Sequence, residues 1–110
     1  MIRAVELATG ADGGSHVTET SVPENHMIGA KAIRFEESPP HSALDWHDAP
    51  QRQYVVVLTG TIEFTTRDGQ TFVLHPGEVL MAADTAGTGH KWRLIDGQPW
   101  RRLYVILGGE

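Results

Sequence analysis

Hydrophobic and polar positions alternate in short runs along this chain, and no window long enough for a helix sustains a helical apolar period. The clearest unit is GTIEFTTRDGQTFVLHPG, from Gly60 to Gly77. There Ile62 and Phe64 alternate with Glu63 and Thr65, RDGQ supplies a turn, and Phe72 and Leu74 alternate on the way back. The pattern predicts a β-hairpin in which Gly69 takes a positive φ. Similar punctuation recurs at HPGE, at IDGQP and, less tidily, at GADGG. Between these breaks lie five further candidate strands: HMIGAKAIRFE, QYVVVL, EVLMAA, HKWRLI and RRLYVIL. The apolar YVVVL run reads as a strand buried on both faces or lying at a subunit contact. The paired prolines of ESPPHSA, Glu37 to Ala43, mark a crossing loop. Many short strands at this spacing predict an all-β sandwich, jelly roll or barrel, and no internal repeat or linker interrupts them.

Composition narrows the picture. A chain of 110 residues has room for one core, so residues 1–110 are expected to form a single domain. Its apolar residues never run to the roughly 18 that cross a bilayer as a helix, so no membrane partner is expected. The opening MIRAVELATG has neither the basic nor the long apolar region of a secretion signal, and a cytoplasmic location is expected. There is no cysteine, so disulfides, thiolate nucleophiles and cysteine-bound zinc are excluded. A net charge of −5 with only nine Lys and Arg argues against nucleic acid, whose phosphates demand clustered cations. The one tight basic pair, Arg101 and Arg102, alternates with apolar positions as a strand does.

Candidate chemistry gathers around LDWHDAPQRQYVVVLTG. Counted by strand parity, Asp45, His47, Ala49 and Gln53 share a face, provided that the bend at Ala49-Pro50 keeps the register. A second histidine, His90, opens HKWRLI after the glycine-rich DTAGTGH, and a barrel can set its strand beside that of His47. The glycines of DTAGTGH read as turns that feed His90 inward, because no helix follows and a nucleotide loop's lysine is missing.

With these residues in place, the chain resembles the cupins, small double-stranded β-helix jelly-roll barrels. His47 falls on the first histidine of the first cupin motif, Gln53 on its glutamate and Gly60 on its closing glycine, with the spacing kept. His90 falls on the histidine of the second motif. His41 stands for the opening glycine, Ala49 for the second histidine, Gln53 for the glutamate, Thr85 for the proline and Leu94 for the closing asparagine. The chain also resembles a group of short single-domain cupins of unassigned function, through WHDAPQRQYVVVLTG, RDGQTFVLHPGEVLMAADTAGTGH and TGADGGSH. The resemblance implies a barrel pocket for a small polar metabolite, with no organic cofactor. It implies one divalent metal, zinc, nickel, iron or manganese, on His47 and His90 with the Gln53 carbonyl as a weak third ligand.

Two readings stay open. In one, the two imidazoles hold a cation that no ligand charge compensates, with Asp45 the acid to watch; Asp48 has the wrong parity and Asp84 sits in a loop near His90. In the other they are neutral, bonded to each other, to Gln53 or to water in a metal-free pocket. An enzyme acting on a polar organic acid, a non-catalytic ligand carrier and a scaffold with an empty pocket all fit, and no catalytic residue is assigned. Trp92, with the parity of His90, and Trp46 are candidate pocket aromatics. His16 and His26 are expected in solvent, His75 at an exposed turn and His41 on the crossing loop, while Arg34, Arg52 and Arg93 read as surface charges, although an arginine at the barrel mouth would suit a carboxylate ligand. Edges left by strands such as HMIGAKAIRF and RRLYVIL need cover, and a homodimer is the expected one.

Overall fold

In the computed structural model, which describes residues 1–108, the alternation resolves into ten strands and, among the described residues, no helix. In chain order these are β1 (Arg3–Thr9), β2 (Ser15–Ser21), β3 (Ala30–Ser38), β4 (Ala43–His47) and β5 (Gln53–Thr59), then β6 (Ile62–Thr66), β7 (Thr71–Leu74), β8 (Val79–Ala83), β9 (His90–Leu94) and β10 (Trp100–Leu107). One sheet has six strands in the order β2-β1-β8-β5-β10-β3, and the other has four in the order β4-β9-β6-β7. Among the described residues only β1 and β8 pair in parallel. This is an all-β jelly-roll barrel.

Every second residue turns inward, and the two inner faces meet in one apolar cluster. Val5, Leu7, Val55, Val57, Leu80 and Trp100 come from the larger sheet, while Ile62, Phe64, Phe72, Leu74 and Leu94 come from the smaller. Burying each large apolar side chain contributes roughly 1.5–3 kcal/mol relative to exposure, enough to lock the register of strands this short. The hairpin expected at Gly60 to Gly77 is β6–β7: Phe64 pairs with Phe72, the rings stack with centroids 4.9 Å apart, and Gly69 takes φ 87°.

Four expectations change. RAVELAT and SHVTETS, not singled out above as strands, are β1 and β2, joined through the GADGG turn. The strand expected from His26 begins at Ala30, leaving Met27 outside it and exposed. The YVVVL run is not buried on both faces of one chain, since Val55 and Val57 point inward but Leu58 is exposed on the outer face of an antiparallel sheet. The crossing loop is shorter than ESPPHSA, because Glu37 and Ser38 belong to β3 and Ala43 to β4. It carries the chain from the edge strand of one sheet to the edge strand of the other, and the barrel's cavity is lined by residues from both of these edges.

Candidate functional site

The cavity measures about 390 Å³ and receives side chains from β3, β4, β5, β9 and β10. Gln53, at the start of β5, is almost fully buried and lines it. Among the described residues the Gln53 amide makes no hydrogen bond within the chain, and neither of its polar atoms is sealed from open space.

His47 and His90 occupy directly opposed positions of β4 and β9, with ring centroids 4.5 Å apart and planes tilted by 58°. Two local features bring them together. Gly89 has φ 73°, and a Cβ there would overlap the His47 carbonyl, so only glycine lets the backbones approach this closely. On the other strand, Leu44 pairs with Trp92 and His47 with His90, which places one extra residue in β4. This bulge breaks the parity from which Asp45 was expected beside His47. The Asp45 side chain is exposed and accepts a 2.8 Å hydrogen bond from the Trp46 backbone N–H. Trp46 also turns outward, beneath the Arg67 guanidinium at 4.1 Å and the Lys91 ammonium at 5.0 Å, and does not line the cavity. Ala49 and Trp92 do line it, Trp92 standing edge-on to Trp100 with centroids 4.5 Å apart.

The imidazoles do not bond to each other. His47 Nδ1 lies 2.8 Å from the Asp45 carbonyl oxygen, which can only accept, so Nδ1 carries the proton. His90 Nδ1 donates to Asp84 Oδ2 at 2.5 Å, and the same oxygen accepts the Ser15 hydroxyl at 2.6 Å. Among the described residues neither Nε2 has a hydrogen-bond partner, and both rings line the cavity. Partial burial holds the His47 imidazole below its ordinary pKa, the nearby His90 adding to the effect against the opposing hydrogen bond from Asp45. It is therefore neutral near pH 7.

Asp84 is the residue that sequence reasoning underrated. It is fully buried, its backbone oxygen accepts the Ala49 N–H at 2.9 Å, and its Oδ1 has no partner among the described residues. A buried carboxylate on the outer nitrogen of His90 supplies negative charge to the site through the ring, which no directly facing acid does. The chain position gave one signal, closeness to His90, but the contact with Ser15 spans 69 residues.

Arg102 was also missed. It shares its β10 face with Trp100 and Tyr104, so it points inward, and it is 2% exposed. Its guanidinium stacks 3.9 Å from the Trp100 ring and donates to Tyr104 Oη at 3.1 Å, Ser38 Oγ at 2.9 Å and the Trp100 carbonyl at 3.1 Å. Arg34, taken above as a surface charge, also lines the cavity, its guanidinium 4.4 Å from the centre of the Tyr104 ring. Phe64 forms a floor between the two polar groups, 6.1 Å from the His90 ring and 6.3 Å from that of Trp100.

Donor chemistry favours a weak rather than a closed metal centre. Two imidazoles with their Nδ1 atoms fixed by outer acceptors suit a divalent cation, but Gln53 offers only an amide oxygen. No group of three or more His, Asp or Glu side chains among the described residues converges as a ligand set.

Comparison with known proteins agrees with this architecture. The chain is 30% identical over 109 residues to the cupin-domain-containing oxidoreductase fogC of Aspergillus ruber, covering 94% of this chain and 46% of that protein. It is 29% identical over 86 residues to the cupin-domain-containing oxidoreductase srdB of Neurospora crassa, covering 77% and 42%. The chain thus spans less than half the length of either relative. A cupin 2 conserved barrel domain protein from Salinispora arenicola superposes with a TM-score of 0.58 at 15% identity, over 80% of this chain and 71% of that one, a likeness of fold alone. Residues 34–106, which carry His47, Gln53, His90 and Arg102, match the family described as the cupin domain, and the chain belongs to that family.

Proposed function

We propose that the barrel binds a small polar metabolite and that His47 and His90 hold a divalent cation against it, with the Gln53 amide oxygen as a weak third donor. The observation that carries this reading is the commitment of both Nδ1 atoms to acceptors outside the cavity, which leaves two Nε2 lone pairs facing it. A bound cation would polarise a ligand oxygen as a Lewis acid. The chain's own residues orient and enclose: Asp84 and the Asp45 carbonyl fix the two rings, Phe64 and Trp92 exclude water, and Ala49 leaves room where a larger side chain would fill the cavity. The printed names of the two curated relatives make oxidation or reduction of the ligand the reaction class to assay first.

A metal-free binding pocket is the second reading, favoured by the neutral Gln53 and by Ala49 at positions where the family resemblance implies ligands. Elemental analysis of untagged protein never exposed to a nickel column separates the two. About one metal per chain, lost in a His47→Ala, His90→Ala double variant, is expected; metal far below that level, unchanged in the variant, favours the metal-free pocket.

A further inference from the structure

At the end of the cavity built by β3 and β10, two guanidiniums face one carboxylate. Glu36 Oε2 lies 3.1 Å from Arg102 Nη2, and Glu36 Oε1 lies 3.5 Å from Arg34 Nη2. All three residues line the cavity, so the local sum of two positive charges and one negative is +1. The burial of the partners is unequal. Arg102 is held on one side by Trp100, Tyr104 and Ser38, whereas the Glu36 side chain is 44% exposed on an edge strand. Of the five guanidinium N–H groups of Arg102, three have hydrogen-bond acceptors: Tyr104, Ser38 and the Trp100 carbonyl. The two on Nη2 have none among the described residues, Glu36 being paired with that nitrogen by charge rather than by an aligned hydrogen bond. A buried cation with spare donors, beside a carboxylate that is partly exposed, has the chemistry to take another carboxylate.

We propose that Arg102, assisted by Arg34, anchors the carboxylate of a small, flat organic acid, and that Glu36 is the resident acid that yields to it. The aromatic walls fix the rest of the ligand class. Trp92, Trp100 and Tyr104 offer ring faces and edges beside the guanidinium, suited to a planar apolar body, and the ligand carboxylate takes the place of that of Glu36 between the two guanidiniums. Such a ligand extends from Arg102 across Phe64 toward His47 and His90, which positions its far end at the imidazole pair. The inference rests on the barrel being a ligand pocket, but not on a metal being present.

The test compares benzoate with its neutral isostere benzamide by calorimetric titration of the full chain, in the wild type and in the surface-strand variants Glu36→Gln and Arg34→Gln. Benzoate is expected to bind about ten-fold tighter than benzamide, one charge-assisted contact being the difference. Glu36→Gln keeps the side-chain shape and removes the competing charge, so it tightens benzoate by about ten-fold and leaves benzamide unchanged. Arg34→Gln weakens benzoate several-fold. Equal affinities for the two probes, no binding of either, or a Glu36→Gln variant that fails to gain affinity for benzoate overturns the assignment. Divalent cation content, measured on the same three proteins, reports on the imidazole pair separately, so each idea can fail alone.

Discussion

Asp84 carries the most consequence per atom in this chain. Its Oδ2 receives two hydrogen bonds, from Ser15 and His90, inside a region closed to water. Asp84→Ala leaves the Ser15 hydroxyl and the His90 Nδ1–H without an acceptor and is expected to lower stability by about 2 kcal/mol, read from urea denaturation. Asp84→Asn retains an acceptor while removing the charge. Under the proposed cation site, its affinity for zinc falls roughly 10–100-fold with a smaller stability change, because the outer partner of a ligating histidine sets that ring's basicity. Zinc titration of Asp84→Asn beside the exposed control Asp48→Asn settles it: equal affinities would mean that the carboxylate does not act through His90. At this scale sequence reading reached His47, Gln53 and His90, because their spacing survives along the chain. It underrated Asp84 and missed Arg102, since a charged side chain in a list of strand residues looks solvated until its partners, here Ser15, Ser38 and Trp100, are folded against it.

Whole elements were legible where both faces of a strand differ in polarity and failed where they do not. β6 and β7 alternate cleanly and were readable to the turn glycine; β2, nearly all polar and buried chiefly at Ser15, has no such contrast. The β4 bulge is invisible to parity counting, which assumes one residue per rung, and it separates the expected place of Asp45 from the observed one. The approach of β9 to β4 depends on Gly89, and a pair of substitutions isolates that dependence. Gly69 and Gly89 both have positive φ, but a Cβ at Gly69 meets nothing within 4 Å while one at Gly89 strikes the His47 backbone. Gly69→Ala should therefore cost about 1 kcal/mol from backbone conformation alone. Gly89→Ala should cost roughly 3 kcal/mol or more, with loss of cation binding as the two histidine rungs part. Equal destabilisation of the two variants in thermal melts would show that the strands can separate without strain.

The molecule as a whole ends on an uncovered side. Among the described residues β3 pairs only with β10 and its other edge has no partner, and along its length almost every residue is exposed. Ile33 and Phe35 on its outer face are 60% and 68% exposed, opposite the half-buried Val105 and Leu103 of β10, with exposed Leu58 nearby. Such an apolar edge invites strand pairing, and soluble chains generally cover it. A second copy suits it by charge. Lys31 and Arg34 lie toward one end of β3 and Glu36 and Glu37 toward the other, so an antiparallel copy brings opposite charges across the seam. The proposed homodimer would lie beside the cavity, because Arg34 and Glu36 line it from this same strand. Light scattering on the eluting protein is expected to give twice the 12.1 kDa of one chain, and Phe35→Asp to return it to the single mass. A wild-type mass of one chain at micromolar concentration would remove the dimer and leave β3 protected only by its charges.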